Sequence, residues 1–234
     1  MKIVLGTAKT ILSCRKLRDE LIKHGHDCVA LNPFKKEVPP SDVYLGIGCS
    51  KTVRAPLVLN KRQAVLNCVS KSSTFSILNH HKLPCPEWCW GRENIPDNWE
   101  QIVARKDDRG FGAKDLEFYY EKEEIPEEYV FFSKAHFWKH EYRVMVVLGK
   151  PLVYYKDSKK VEGSWCFIPK DHKEYPEIVK ACKKASEALG TDYVGFDVLA
   201  HNKSKFVILE ANSGAIIPDE AIAIFVKYFN KLKG

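Results

Sequence analysis

Two apolar runs near the carboxyl end, YVGFDVLA at 193–200 and FVILEAN at 206–212, stand five residues apart and predict an antiparallel hairpin. Successive strand side chains point to opposite faces, so Ile208, Glu210 and Asn212 are expected on one surface and Val207, Leu209 and Ala211 on the other. Asp197 shares its face with Gly195 and Leu199, and a pairing that sets it near Glu210 gathers three oxygen donors. Such a set suits magnesium, which takes oxygen ligands in octahedral geometry and keeps positions for nucleotide phosphates.

The rest of the chain supplies the frame. KIVLG, SCRKLRDELIKHG and HDCVALNP read as strand, amphipathic helix and strand, with Leu17, Leu21 and Ile22 as the buried stripe and Gly25 ending the helix. DVYLGIG, after the Pro39-Pro40 break, is another strand, so residues 1–67 are expected to form a small α/β lobe. From Lys71, KSSTFSILNHH predicts a helix that stops before LPCPEW, where two prolines impose an extended chain. QIVAR and LEFYY predict two antiparallel strands joined through KDDRGFGAKD, and HEYRVMVVLGKPLVYYK a hairpin turning at Gly149-Lys150. YVFFSKAHF is a further strand, YPEIVKACKKASEALG the clearest helix, and DEAIAIFVKYFNKLK a final amphipathic helix fit for core or interface. From residue 71 onward this order is α+β rather than a doubly wound sheet.

Composition narrows the function class. No apolar run approaches the roughly 18 residues of a membrane span, so no membrane partner is expected. MKIVLG enters a strand pattern without the layout of a signal peptide, which makes a cytoplasmic location the expectation. The eight cysteines form no CxxC pair; Cys85 and Cys89 lie near His80 and His81, but the spacing favours reduced, mostly buried thiols over zinc. The net charge of +7 fits an anionic partner, nucleic acid or polyphosphate, although the cations are spread along the whole chain.

Arg105, Arg143 and Lys156 each fall at or near a strand end, where a side chain can reach into a cleft. Phosphoryl transfer asks for positioning and charge neutralisation of this kind. Gly110 and Gly112 offer backbone amides that can cover phosphates, though a plain hairpin turn needs glycines too. Plainer roles stand beside these: Arg143 pairing with Glu141 along its strand, Lys156, Lys159 and Lys160 as a solvated turn, and Trp88, Trp90 and Trp99 as core or lobe-interface aromatics.

Taken in order, LGIG, VLNKRQAV, SKSSTFSIL, LPCPEW, the strand ending in Arg105 with its glycine loop, SKAHFWKHEYRV, YYKDSKK, EGSWCF and YVGFDVL…FVILEAN resemble the ATP-grasp enzymes. The likeness is nearest to the small ATP-grasp proteins of bacteriophages and covers nearly the whole chain. Its most specific part is Asp197, twelve residues, Glu210, one residue, Asn212. The resemblance implies two α+β lobes, about 68–134 and about 135–234, gripping ATP behind a small α/β domain. It implies a carboxylate–amine ligase: ATP phosphorylates a carboxylate, an amine attacks the acylphosphate, and an amide, ADP and phosphate result. Carried over, Lys71 and Arg105 would approach ATP from the smaller lobe, and Lys134, Ala135, His136 and Phe137 would form the hinge beside adenine. Glu141 would reach the ribose or order the hinge, Arg143 and Lys156 would stabilise the transferring phosphoryl group or the acylphosphate, and Asp197, Glu210 and Asn212 would hold one or two Mg2+ ions.

The chain departs from the family pattern twice. RGFGAKDL is shorter than the usual loop, which bears on phosphate coverage, and SGAIIP replaces the usual two residues and Pro-Gly after Asn212, which bears on the acceptor site. The substrates are expected to be a small-molecule or peptide carboxylate and an amine. The alternative is a nucleotide-binding or nucleic-acid-associated protein that keeps the fold without ligation.

Overall fold

The computed structural model describes residues 1–8, 12–109, 116–161 and 164–234, and the side chains among them other than those of 158–161, 164 and 165. Its first layer follows from continuous apolar runs. Strands β1 (Lys2–Thr7), β2 (Asp27–Leu31), β3 (Val43–Ile47) and β4 (Leu57–Leu59) form a parallel sheet in the order β2-β1-β3-β4. Every residue of β3, and all of β1 after Lys2, is buried, as befits parallel strands covered on both faces. Helix α1 (Leu12–Lys23) turns Cys14, Leu17 and Leu21 inward, whereas Ile22, expected in that stripe, is half exposed.

Helix α2 (Arg62–Val69), which the sequence reading did not separate from the first lobe, leads into α3 (Lys71–His80). Ser70 caps α3, its hydroxyl accepting from the Ser73 N–H at 3.1 Å, and so fixes Lys71 as the first helical residue. Strands β5 (Trp88–Trp90), β6 (Ile102–Arg105), β7 (Leu116–Tyr119) and β8 (Phe131–Lys134) make an antiparallel sheet in the order β5-β8-β6-β7. Ile102 and Ala104 point into a core with Ile95, Trp99 and Phe132, which leaves Val103 and Arg105 facing the other way.

The third sheet, β11-β10-β9-β12-β13, is antiparallel throughout: β9 (His140–Val147), β10 (Lys150–Val161), β11 (Ser164–Lys170), β12 (Tyr193–Ala200) and β13 (Phe206–Asn212). The β9–β10 turn is Leu148-Gly149, one residue earlier than predicted, with φ of 51° and 75°, the pair of positive values a two-residue I′ turn requires. Helix α4 (Pro176–Leu189) packs Ile178, Cys182 and Leu189 on one face of this sheet, and Gly190 ends it at a left-handed φ of 74°.

Helix α5 (Asp219–Lys233) joins the parallel sheet to the other face: Leu5, Leu45, Met145, Tyr193 and Phe225 belong to one core. Asn60 fastens the same junction. Buried at a φ of 49°, its side-chain oxygen accepts from the N–H groups of Asp192 (2.7 Å) and Tyr193 (2.9 Å), and its amide nitrogen donates to the Tyr193 carbonyl at 2.7 Å. The eight cysteines are unpaired, and Cys14, Cys28, Cys49 and Cys182 are buried. No helix among the described residues is long and apolar enough to cross a membrane.

Candidate functional site

Along β9 the odd-numbered side chains change character. Met145 and Val147 enter the core shared with the parallel sheet, while Glu141 and Arg143, further along the same face, open into a cleft of about 450 Å3 between the second and third sheets. The facing residues of β12 do the same: Tyr193 is core, Asp197 and Leu199 line the cleft. Five cations (Lys71, Arg105, Lys134, Arg143, Lys156) and three carboxylates (Glu141, Asp197, Glu210) reach this space among the described residues. The excess of positive charge suits a polyanion.

Register explains how the charges pair. Asp197 stands directly opposite Arg143 on one side and Glu210 on the other. Arg143 grips Asp197 with two parallel hydrogen bonds, Nε to Oδ1 at 2.5 Å and Nη2 to Oδ2 at 3.0 Å. Glu141 takes Lys156 instead of Arg143, so the pairing of Arg143 with Glu141 considered from sequence is replaced by two cross-strand pairs. The reason is geometric: residues 141 and 143 are two apart on one strand, whereas cross-strand neighbours on one face stand closer. Lys71 reaches Glu210 from the start of α3 at 3.5 Å.

A bulge shapes β13. Asp197 pairs with Glu210 but Val198 pairs with Ile208, leaving Leu209 as the extra residue. Strict alternation therefore fails: Ile208 is buried in the core with Ala211, whereas Leu209 joins Glu210 and Asn212 on the cleft. The predicted surface of Ile208, Glu210 and Asn212 is thus corrected to Leu209, Glu210 and Asn212, which adds an apolar wall beside the carboxylate.

Burial sets the electrostatics of the cations. Lys71 is pushed below the usual lysine value by burial, with Glu210 opposing and Arg105 adding to the shift. Arg105 is lowered by burial, again with Glu210 opposing. His136 is lowered by burial and then by Lys134. A polyanion entering here would supply the negative charge that these groups lack. Lys71 is held from behind by Asp108, whose carboxylate accepts from the hydroxyls of Ser70 and Ser72 and whose carbonyl accepts from the Lys71 N–H at 2.9 Å.

The remaining sequence candidates divide. Lys134, Ala135 and His136 line the cleft; Lys134 pairs with Glu87 at 3.1 Å, and the Ala135 N–H is already given to the Gln101 carbonyl at 3.0 Å. The Phe137 side chain is 70% exposed and outside the lining, with its ring 6.3 Å from that of Phe118, which lines the cleft. Gly110 and Gly112 lie outside the described residues. Sequence reading passed over the apolar walls, Phe75, Val103 and Leu209. The first two carried a signal, since Phe75 stands one helical turn from Lys71 and Val103 two residues from Arg105.

No group of three or more His, Cys, Asp and Glu side chains among the described residues has the geometry of a metal site. Two carboxylates and an amide oxygen remain as a donor set for magnesium, which needs only one or two carboxylates when phosphates complete its shell. The Asn212 Oδ1 accepts from the Gly214 N–H at 2.9 Å, and a carbonyl oxygen keeps a second lone pair for a further partner.

Behind Glu210 and Asn212 lies a second cavity of about 270 Å3, sharing Lys71, Phe75 and Leu209 with the cleft and lined on its far side by Thr7, Ala8 and Gly48. The segment after Asn212 closes it. The Gly48 N–H donates to the Ser213 carbonyl at 3.0 Å, and a Cβ on Gly48, whose φ is 59°, would meet the Gly214 Cα at 2.9 Å, so the approach requires glycine at 48. The Tyr193 hydroxyl, 3.1 Å from the Ala215 carbonyl and 2.9 Å from that of Ile216, pins the next residues.

No family model matches the sequence, and no curated protein matches it. Solved structures do. The ATP-grasp ligase PsnB complexed with a minimal precursor superposes with a TM-score of 0.72 at 13% identity, covering 97% of each chain. The macrocyclase MdnC bound with precursor peptide MdnA, from Microcystis aeruginosa MRC, gives 0.69 at 12% identity, covering 97% of this chain and 100% of that one. D-alanine–D-alanine ligase from Bacillus anthracis, complexed with ATP, gives 0.66 at 15% identity over 100% of both chains. These likenesses lend no support to the bacteriophage subgroup in particular. With its two antiparallel sheets enclosing a charged cleft beside a small parallel sheet, the chain has the ATP-grasp fold.

Proposed function

We propose that the chain is an ATP-dependent carboxylate–amine ligase that forms an amide or peptide bond through an acylphosphate and releases ADP and phosphate. The observation that carries this reading is the row of opposed charges across one cleft, Lys156 with Glu141, Arg143 with Asp197 and Lys71 with Glu210, beside a second cavity that reaches the same Glu210. The named neighbours support it: PsnB has been captured with Mg and ADP, and D-alanine–D-alanine ligase with ATP.

In this reading residues 1–67 precede a smaller lobe of about 68–134 and a larger one of about 135–234. ATP lies in the cleft with its base beside Lys134, Ala135 and His136 and against Val103, and its phosphates towards Lys71 and Arg105. Asp197, Glu210 and Asn212 hold magnesium, which neutralises phosphate charge when bound. The carboxylate of the acceptor sits in the second cavity and attacks the γ-phosphorus, breaking its bond to the ADP oxygen. Arg143 and Lys156 stabilise the equatorial oxygens of the transferring group, and their present partners Asp197 and Glu141 keep both side chains extended towards it. An amine then attacks the acyl carbon, phosphate leaves, and the amine's surplus proton goes to solvent or to the departing phosphate.

The test is ADP release across panels of acids and amines. The expected result is turnover that needs one member of each panel together, with amide formed in equal amount to ADP. Release of ADP that ignores the acid and the amine contradicts ligation.

A further inference from the structure

A third cavity of about 620 Å3 opens beside the carboxyl ends of β1 and β2, lined by Arg15, Arg18, Lys35 and Lys36 and, among the described residues, by no carboxylate. The mouth beyond the strand ends is where open α/β sheets take ligands. Arg18 is engaged by its neighbour Asp19 at 2.6 Å, but Arg15, Lys35 and Lys36 form no ion pair among the described residues. Thr7 and Ala8 line both this basic cavity and the 270 Å3 cavity, which in turn shares Lys71, Glu210 and Asn212 with the nucleotide cleft. Each cavity therefore adjoins the next through shared wall residues, and the one furthest from the cleft is the most uniformly cationic among the described residues.

Building on the ligase reading, we infer that the basic cavity receives the body of an acceptor carrying several carboxylates, an acidic peptide segment, whose reacting carboxylate extends past Thr7 and Ala8 into the adjoining cavity. The cleft has its own cations for the triphosphate, so those of the first lobe are left for another anion. Concentrating like charge in a concave site raises the local concentration of an oppositely charged ligand. Among the described residues the lining holds no aromatic ring, and the exposed Phe34 nearby lies outside it, which favours peptide carboxylates over single-stranded nucleic acid. The adjoining cavity of about 270 Å3, with the apolar side chains of Cys68, Val69 and Phe75 in its lining, suits the methylene stem of an acidic side chain or a chain terminus.

The test is fluorescence anisotropy with labelled hexaglutamate, hexaglutamine and oligothymidylate on the wild-type chain and on the Lys35→Glu, Lys36→Glu double variant. Both lysines are exposed, so the variant should fold. The wild type is expected to bind hexaglutamate and not hexaglutamine, with affinity falling about tenfold or more both in the variant and on raising salt from about 50 mM to about 300 mM. Equal binding by wild type and variant, equal binding of hexaglutamine, no binding of hexaglutamate, or tighter binding of oligothymidylate overturns the inference. The Mg-ADP thermal shift of the same two samples separates the claims. A retained shift without charge-dependent peptide binding removes this inference and leaves the ligase reading. Peptide binding that follows the charges without a nucleotide shift leaves the basic site and removes the ligase reading.

Discussion

The two faces of the third sheet are made by the same strands and carry opposite chemistry. On one, Tyr142, Val144, Val146, Val194, Phe196 and Val198 are buried without interruption under α3 and α4. On the other, the core of Met145, Val147 and Tyr193 gives way within two to four residues to Glu141, Arg143 and Asp197. The first face contributes to stability through area removed from water, at roughly 25 cal/mol per Å2. The second places charge where burial disfavours it, and each carboxylate there is matched to a cation. On the proposed reading, the cleft face gives up stability for a polyanion that restores the balance.

Substitutions on the two faces should therefore separate function from folding. The largest effect is expected from Arg143→Met, which removes the bidentate partner of Asp197: kcat should fall by about 10²–10³-fold, by analogy with losing one preorganised charge-stabilising donor. Single-turnover kinetics check this, and wild-type turnover would blur the comparison. Leu45→Ala, in the fully buried parallel sheet, should cost roughly 2–5 kcal/mol, read as a lower urea midpoint at unchanged slope, with Mg-nucleotide affinity retained. Asn60→Ala is expected to cost about 2–3 kcal/mol, because the N–H groups of Asp192 and Tyr193 lose a common acceptor at the junction of two sheets.

The smallest effect concerns pH. Burial holds Lys71 below the usual lysine value, so its charge is lost earlier than an exposed lysine's as pH rises. Nucleotide affinity should fall as pH rises through that lowered value, while Lys71→Arg, whose guanidinium keeps its proton, should extend binding to higher pH. An alkaline limb identical in both proteins would remove Lys71 from the phosphate site.

Much of this plan was legible before any coordinates. Continuous apolar runs marked the strands of the first sheet, and KSSTFSILNHH marked α3 with Lys71 at its first turn. The hairpin of β12 and β13 was readable from two runs and a polar gap, so Asp197 and Glu210 could be set together. What escaped depended on register or on neighbours remote in sequence. The bulge at Leu209 exchanges Ile208 for Leu209 on the cleft face, and alternation alone cannot show an inserted residue. The partners of Arg143 and Glu141 are chosen by strand pairing across 54 and 15 residues, while the sequence displays only their nearness to each other.

The central claim is that Glu210, with Asp197 and Asn212, makes the cleft a Mg-nucleotide site. Thermal unfolding of the wild type and of Glu210→Gln, with ADP or a non-hydrolysable ATP analogue and with or without magnesium, tests it most directly. Ligand at about 100 times its Kd should add about 2.7 kcal/mol, or roughly 2–4 °C in Tm for a chain of this size. The account predicts a magnesium-dependent rise in the wild type that Glu210→Gln loses. A wild-type Tm that stays fixed at millimolar nucleotide, or a rise that the variant keeps in full, would contradict it.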